Sequence, residues 1–206
     1  MEICFFAGWR SQKNPEDAVK TLSIECSSGR GSIAVTDSDR HFFSLEFEIP
    51  RGRGVEFFAA LEEAVCRCDD FEQVLVGTGP GSYNGLRASI AAAWGLSKTR
   101  GAELKGIPSV FGYDAPEYFV IGDARAGQWF LAHVRGGVLV TPIDLLPPEQ
   151  ATAHLATGLP VFSTSSMLDS ACYEAPHARC LARHPNQFGP AAPIYLKPPH
   201  ITKSPA

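Results

Sequence analysis

A glycine-rich turn, GPGSYNGLR at residues 79–87, separates a short apolar run at Val74–Val76 from an alanine-rich segment with helical spacing. Such a turn between a strand and a helix brings backbone N–H groups close to a neighbour. That neighbour is either an anion at the positive end of the helix or a tightly packed part of the same chain. An anion site would favour an enzyme, whereas close packing would favour a protein that assists an enzyme.

Upstream of this turn, the pattern predicts an antiparallel meander followed by a helix. Strands are predicted at Thr21–Cys26, Ser32–Thr36 and His41–Ile49, with tight turns between them. In the third strand, alternate residues are apolar, which is typical of a strand with one buried face. A helix is predicted at Val55–Cys68, with a stripe formed by Phe57/Phe58, Leu61 and Val65.

Around the turn, the pattern favours a buried strand, a helix and a further strand. The strands are Gln73–Gly77, apolar in its middle as in parallel sheets, and Leu104–Ile107. The helix runs from about Ser82, a good N-cap, to Arg100, with Gly101 suited to the position after its end. Its predicted buried side consists of Leu86, Ile90, Ala93, Trp94 and Ser97. The resulting element order is βββαβαβ.

A second, smaller α/β block is predicted after Pro116. Its predicted strands are Tyr118–Gly122, Gln128–Val134, Gly137–Thr141 and Leu159–Phe162. A helix begins at Pro147-Pro148, and the tail from Pro185 is irregular. We therefore predict a leader at residues 1–20 outside the fold, disordered or created by an upstream start codon. An α/β domain follows at residues 21–115, and a reduced α/β domain occupies residues 116–206.

Composition indicates a globular chain without membrane or strong nucleic-acid character. The 206 residues are 45% hydrophobic and 19% charged, with a net charge of −4. That balance argues against a self-sufficient nucleic-acid binder; local basic strips, Arg51-Gly52-Arg53 or Lys197 with Lys203, read as solvated surface. The six cysteines have no zinc-type spacing and no secretory signal precedes them, so we expect reduced thiols and a cytoplasmic protein.

The standard nucleotide and catalytic motifs are missing. No lysine follows Gly85, so the P-loop pattern fails, and neither glycine register completes GxGxxG. Gly81-Ser82-Tyr83 is not a nucleophile elbow, and the six histidines contain no HxxxH or HExxH pair. We therefore predict no catalytic residue and no metal site in this chain. Packing of the glycines is the favoured interpretation of the turn.

Weak anion or nucleotide contacts stay open as an alternative. Glu25 and Asp123 end predicted strands, where carboxylates suit metal or general-base work but also cap turns. The candidate contact residues are Gly79, Gly81, Ser82, Glu25, Asp123 and Arg125.

Four colinear pieces of the chain resemble the TsaB (YeaZ-like) family. VLVGTGPGSYNGLR at 74–87, with the helix and GIPSV that follow it, resembles the GPGSFTGLR signature of that family. TLSIECSSGRGSIAV at 21–35 is similar to its first hairpin, VIGDARAGQWFLAHV at 120–134 to its DAR segment, and PIYLKPPHITK at 193–203 to its ending. Glu25, Tyr83 and Asn84 depart from the usual Asp, Phe and Thr.

The resemblance implies an actin-like ATPase (ASKHA) fold with two ribonuclease-H-like domains, the second reduced here. It also implies a role in making threonylcarbamoyladenosine beside the anticodon of ANN-decoding tRNAs. In that family the chain is a non-catalytic partner of a metal-bearing TsaD-like paralogue, which the ATPase TsaE joins. The resemblance implies a heterodimer with that paralogue, or a homodimer when the chain is alone, with ATP or ADP possible at the partner interface. It also implies that tRNA is reached only through the complex and that no membrane is involved.

The resemblance also implies which surface meets the TsaD-like partner, namely the outer side of the two helices of the first domain. Small alanine and glycine side chains there allow another helix to approach closely. The interface residues carried over onto this sequence are Val55, Phe58, Leu61, Glu62, Gly81, Ser82, Tyr83, Arg87, Ala88, Ala91, Ala92 and Gly95.

Two other functions stay open from the residues alone. An ATP-dependent small-molecule kinase of the same fold would need a complete nucleotide cleft, for which the second block looks short. A glycoprotease-like peptidase would need a metal pair or a nucleophile–base arrangement, which the sequence does not provide.

Overall fold

The computed structural model describes residues 19–37, 40–49, 54–165 and 172–197. Four predictions fall wholly or mostly outside these residues: the leader, apart from residues 19 and 20, the basic strip at 51–53, Lys203, and the chain ending beyond residue 197. Within the described residues the chain forms two β-sheets. Each sheet carries helices on its outer side, and one short helix lies between the sheets.

The first sheet contains the meander and two parallel strands. Its strands are β1 (Lys20–Glu25), β2 (Arg30–Asp37), β3 (Arg40–Glu48), β4 (Gln73–Gly77) and β5 (Glu103–Ile107). The spatial order is β3-β2-β1-β4-β5; β1, β2 and β3 pair antiparallel, whereas β1, β4 and β5 pair parallel. With its helices, this sheet confirms the predicted βββαβαβ order.

Helices α1 (Val55–Arg67) and α2 (Tyr83–Arg100) cover one face of this sheet. The Ser82 side chain accepts a hydrogen bond from the amide of Gly85, and Gly101 has a φ of 66°, so both predicted helix ends are confirmed. The shared core includes Leu22, Ile24, Phe57, Leu61, Val74, Val76 and Ala93.

Two residues predicted to lie on the buried helix stripes instead point outward. Phe58 is 56% exposed and Trp94 is 58% exposed, whereas their neighbours Phe57 and Ala93 are buried. Successive helical residues are rotated by about 100°, so two adjacent positions rarely share a narrow buried stripe. The sheet accepts the small side chain of Ala93 and excludes the indole.

The second sheet begins with a long hairpin. Strands β6 (Glu117–Asp123) and β7 (Trp129–Arg135) pair antiparallel over their full length. The short strands β8 (Val138–Leu139) and β9 (Asp144–Leu146) pair with β7. The predicted strand at 137–141 was too long, because Gly136 and Gly137 adopt φ values of 56° and 75° in the turn before β8.

The rest of the second sheet is built from short segments. After α3 (Pro148–Ala153) come β10 (Val161–Ser163) and β11 (Cys172–Tyr173), which extend the sheet in the order β11-β10-β6-β7-β8. The helix start at Pro148 confirms the prediction. The predicted strand at 159–162 was placed about one to two residues early, a usual error at strand ends.

The chain returns to the first sheet after Pro176. The short helix α4 (Ala178–Leu181) packs on β1 and β2, and the amide of Ala178 donates to Ser32 Oγ at 2.8 Å. Gly106 and Gly189 form a two-way backbone bridge, and the amide of Ile194 donates to the Thr78 carbonyl at 2.8 Å. Residues of the second block therefore complete the packing of the first sheet.

A second hydrophobic core fills the space between the two sheets. It joins Leu75 and Ile107 of the first sheet to Val120 and Phe130 of the second, with Leu181 of α4 between them. Among the described residues, no helix has both the length and the apolar character needed to cross a membrane.

Candidate functional site

The glycines of the turn between β4 and α2 are required by close packing against the chain itself. A Cβ atom on Gly81 would overlap the carbonyl oxygen of Ser27, and one on Gly85 would overlap that of Cys26. Gly79 has a φ of 93°, a conformation that favours glycine. The structure therefore supports the packing interpretation of this turn.

The N–H groups that would bind an anion are partly used within the chain. The amide of Ser82 donates to the Ser27 carbonyl at 2.6 Å, and the amide of Gly79 donates to Ser109 Oγ at 2.9 Å. The amide of Gly85 donates to the Ser82 side chain at 3.3 Å. A phosphate at this helix end would have to displace these contacts, so the turn does not form a ready phosphate cradle.

Glu25 lies at the end of β1, as predicted, but it is fully buried. Its Oε1 accepts a hydrogen bond from the amide of Ser27 at 2.6 Å, while Oε2 has no hydrogen-bond partner among the described residues. Oε2 instead lies against Gly77, where a Cβ atom would overlap it. Burial raises the pKa of the Glu25 carboxyl above its usual value, because the charged form is desolvated.

A carboxyl in this position cannot act on a substrate. It has no exposed surface, and the fold offers it no cation within the hydrogen bonds and ion pairs of the described residues. Glu25 therefore bonds to the turn after β1 and packs against Gly77 of β4, and its burial leaves no exposed carboxylate for a substrate.

Asp123 and Arg125 stand on a different, exposed turn, between β6 and β7. The carboxylate of Asp123 accepts a hydrogen bond from the amide of Arg125 at 2.7 Å, which is the turn-capping role. Arg125 and Ala126 have φ values of 64° and 51°, a left-handed conformation that is costly for residues with a Cβ atom. The ammonium of Lys197 donates to the carbonyl of Arg125.

The cleft between the sheets is closed by side chains. Among the described residues that line it, no space remains for a water molecule. The ring of Phe130 occupies the position that a Cβ on Gly122 would need, and Tyr113 stacks on Phe162 with ring centroids 4.5 Å apart. The lining residues include Ser27, Pro80, Ser109, Tyr113, Phe130 and Pro176. Among the described residues, these contacts fill the hollow that they line.

The outer surface of α1 and α2 is open, in contrast to the cleft. Val55 is 73% exposed and Phe58 is 56% exposed, and they border a surface hollow of about 540 Å³. A Cβ atom on Gly95 would meet nothing within 4 Å. Of the residues carried over as partner contacts, those with exposed side chains are Val55, Phe58, Glu62, Ser82, Tyr83, Arg87, Ala88 and Ala91.

The other carried-over partner residues are less accessible. Ala92 and Gly95 are partly exposed, and Gly81 is exposed but pressed against Ser27. Leu61 is a correction, since only 8% of it is exposed and it packs into the core of the first sheet. Leu61 is therefore a core residue of α1 rather than a contact residue on its surface.

Sequence reasoning missed two aromatic residues of this surface. The helical pattern places Trp94 on the buried stripe, and Tyr195 lies in the irregular chain ending, which has no periodic pattern. In the structure Tyr195 is 48% exposed, and its ring centroid lies 5.5 Å from that of Tyr83. No periodic signal links residues so far apart in sequence; only the return of the chain after Pro176 brings them together.

Solved structures with the same architecture identify the fold. A protein of Pseudomonas aeruginosa with similarity to peptidase YEAZ superposes with a TM-score of 0.68 over 87% of this chain and 100% of that one, at 19% identity. The chain has the YeaZ fold. YeaZ of the same organism gives a TM-score of 0.68 at 18% identity, covering 86% of this chain and all of that protein. The likeness to the YeaZ-like family predicted from the sequence is confirmed at the level of the fold.

Sequence comparison adds a second relationship, which covers part of the YeaZ fold. Residues 56–132 match the family model for TsaD, described as tRNA N6-adenosine threonylcarbamoyltransferase. An uncharacterized protein of Mycobacterium tuberculosis is 32% identical over 83 residues, 39% of this chain and 39% of that protein. A protein of Mycobacterium bovis matches to the same extent. The matched segment thus spans about two fifths of the length of these relatives.

Proposed function

We propose that this chain is a TsaB-like accessory subunit. It binds and activates a TsaD-like enzyme that transfers a threonylcarbamoyl group to the adenosine beside the anticodon of tRNA. The observation that carries the proposal is the open outer face of α1 and α2, on a chain with the YeaZ fold whose residues 56–132 match the TsaD family model. The match includes most of α1 and all of α2.

The chemistry of this face suits another helical surface. It combines the exposed apolar side chains of Val55 and Phe58 with the small residues Ala88, Ala91 and Gly95 of α2. Small residues let two helices approach closely, and the hollow beside Phe58 can receive a partner side chain. Exposed aromatic residues are enriched at the centres of interfaces, where they supply much of the binding energy.

The closed cleft supports an accessory role over the kinase alternative. A kinase of this fold needs room for a nucleotide between the sheets, and the core around Phe130 and Tyr113 fills that room among the described residues. The peptidase alternative has no supporting observation. Within the described ranges, no group of three His, Cys, Asp or Glu side chains is placed to hold a metal ion.

The accessory role also specifies the other components of the complex. The partner is a TsaD-like paralogue in the cytoplasm, joined by a TsaE-like ATPase, with ATP or ADP at the partner interface rather than in this chain's cleft. The tRNA is reached through the complex. In the absence of the partner, a second copy of this chain is the expected occupant of the outer face.

The test is reconstitution with the TsaD-like paralogue of the same organism. We expect the two purified proteins to co-elute in size-exclusion chromatography. We also expect threonylcarbamoyladenosine to form on tRNA only when both are present with threonylcarbamoyl-AMP. Full activity of the paralogue without this chain would overturn the proposal.

A substitution that introduces a charge on the outer face tests whether the partner binds there. Ala91→Glu places a carboxylate in the centre of the small-residue surface, where its desolvation opposes docking, so we expect at least a tenfold loss of affinity by calorimetry. Gln150→Glu on α3 makes a similar exposed charge change away from this face and is the matched control. Equal affinities for both variants would place the contact elsewhere.

A further inference from the structure

Helical geometry divides the exposed surface of α2 into two adjacent sides. At about 100° per residue, one side carries the small residues Ala88, Ala91, Ala92 and Gly95. The other side carries aromatic and basic residues, namely Tyr83, Arg87, Trp94 and Lys98. Close helix packing uses the first side. Tyr83 and Arg87 on the second side are also among the carried-over partner contacts, but the packing of small residues does not account for their aromatic and basic character.

The aromatic and basic residues of the second side form two cation–π pairs. The guanidinium of Arg87 lies 5.2 Å from the ring centroid of Tyr83 and donates a hydrogen bond to the Tyr83 hydroxyl at 2.9 Å. The ammonium of Lys98 lies 5.8 Å from the ring centroid of Trp94. With the usual helical rise, Tyr83 and Trp94 stand about 16 Å apart along the axis.

The returning chain adds a second ring at the beginning of α2. The rings of Tyr83 and Tyr195 lie 5.5 Å apart, and the two residues are 49% and 48% exposed. The hydrogen bond from the amide of Ile194 to Thr78 holds this segment against the end of β4. Two neighbouring rings, each half exposed, form a platform rather than a buried pair.

Two cations lie next to this platform. Arg87 contacts Tyr83, and Lys197 follows Tyr195 by two residues and donates to the backbone carbonyl of Arg125. The carboxylate of Asp123 lies on the same turn as Arg125. It accepts a hydrogen bond from the amide of Arg125 and so caps that turn. The positive end of α2 begins at Tyr83 and adds to the local potential.

We propose that Tyr83, Arg87, Tyr195 and Lys197 form a binding surface for unpaired RNA nucleotides, which we call the tyrosine platform. A base stacks on the exposed part of the tyrosine rings, and the neighbouring cations meet its phosphates. Aromatic rings combined with cations are the usual means of holding single-stranded nucleic acid without sequence preference. An acidic protein segment would use the cations but would leave the flat faces of the rings without a matching group.

This inference deepens the proposed function and rests on it for the source of the RNA, since a tRNA-modifying complex brings unpaired nucleotides to its subunits. The net charge of −4 makes weak binding by the chain alone the expectation. The platform therefore acts as a local contact within a complex rather than as an independent RNA-binding domain.

The test measures RNA binding by the full chain at low ionic strength. The probes are a fluorescently labelled single-stranded RNA oligonucleotide and the same strand annealed to its complement, followed by anisotropy. We expect the single strand to bind more tightly than the duplex and its affinity to fall as salt is raised. Tyr195→Ala should lower the single-strand affinity about tenfold, because one stacking ring is lost.

Two further variants separate stacking from general effects. Tyr195→Phe keeps the ring and should retain wild-type affinity. Tyr173→Ala removes an equally exposed tyrosine, 48% exposed, from the edge of the second sheet and should also leave affinity unchanged. Unchanged RNA affinity in Tyr195→Ala would overturn the proposal, and so would an equal loss in Tyr173→Ala.

Binding to the TsaD-like partner is measured on the same variants. A loss of partner binding in Tyr195→Ala with RNA affinity intact would assign the platform to a protein contact and overturn the proposal. If the wild-type chain does not bind the partner but the RNA results hold, the proposed accessory function fails while the RNA surface stands.

Discussion

The two faces of the first sheet differ: the inner face is packed against the second sheet, whereas the helices on the outer face expose apolar side chains. On the inner face, the ends of β1 and β4 press against each other, and the core around Phe130 closes the cleft. On the outer face, α1 and α2 leave Val55, Phe58 and Trp94 more than half exposed. Among the described residues, the inner face is therefore packed, whereas these three apolar side chains of the outer helices are exposed.

The neighbouring residues Phe57 and Phe58 give the most direct test of this difference. Phe57 is 4% exposed and belongs to the core, so Phe57→Ala should lower the free energy of unfolding by about 4 kcal/mol. Phe58 is 56% exposed, so Phe58→Ala should change it by less than about 1 kcal/mol. Urea denaturation of both variants checks the contrast.

Protein concentration sharpens that result. If Phe58 is covered by a second copy of the chain, the cost of Phe58→Ala will grow as the protein concentration is raised. A cost equal to that of Phe57→Ala at low concentration would mean that the outer face is not a free surface.

Two glycines of α2 provide a second, smaller contrast within one helix. At Gly85 a Cβ would overlap the Cys26 carbonyl, so Gly85→Ala should cost about 2 to 3 kcal/mol. At Gly95 a Cβ meets nothing within 4 Å, so Gly95→Ala should stabilise the chain by about 0.5 to 1 kcal/mol through helix propensity. Thermal or urea unfolding measures both changes. A stabilising Gly85→Ala would show that the turn is not closely packed against β1.

These contrasts also mark how far the sequence could predict the molecule. Alternation in β3, the apolar run of β4 and the caps at Ser82 and Gly101 are local signals, and they placed the elements of the first sheet correctly. The side chains of Phe58 and Trp94 were assigned to the wrong face, because a helical pattern does not show how narrow the buried stripe is.

The candidate site depended on contacts that are distant in sequence. Strands β9 and β11 and helix α4 are too short to give a periodic signal, so the packing of Ala178 on Ser32 could not be foreseen. The sequence does not show whether a carboxylate at a strand end is exposed in a cleft or, like Glu25, fully buried. The tyrosine platform likewise needs the folded chain to bring Tyr195 to Tyr83.

Glu25 gives the smallest expected effect and tests whether the inner face is sealed. Burial raises the pKa of the Glu25 carboxyl above its usual value, so its protonated form is favoured in the folded state. The chain should therefore be most stable below the unfolded-state pKa, lose stability as pH rises through the folded-state pKa, and level off above it. Each unit of the raised pKa corresponds to about 1.4 kcal/mol lost across that window.

Glu25→Gln removes this titration while keeping the shape of the protonated carboxyl. Its unfolding free energy, measured by urea denaturation from about pH 4 upward, should gain on that of the wild type as pH rises. Glu62→Gln changes an exposed carboxylate on α1 and is the matched control for the substitution itself. Parallel profiles for Glu25→Gln and the wild type would mean that water reaches Glu25. The inner face would then be an open cleft, and the kinase alternative would regain the space that it needs.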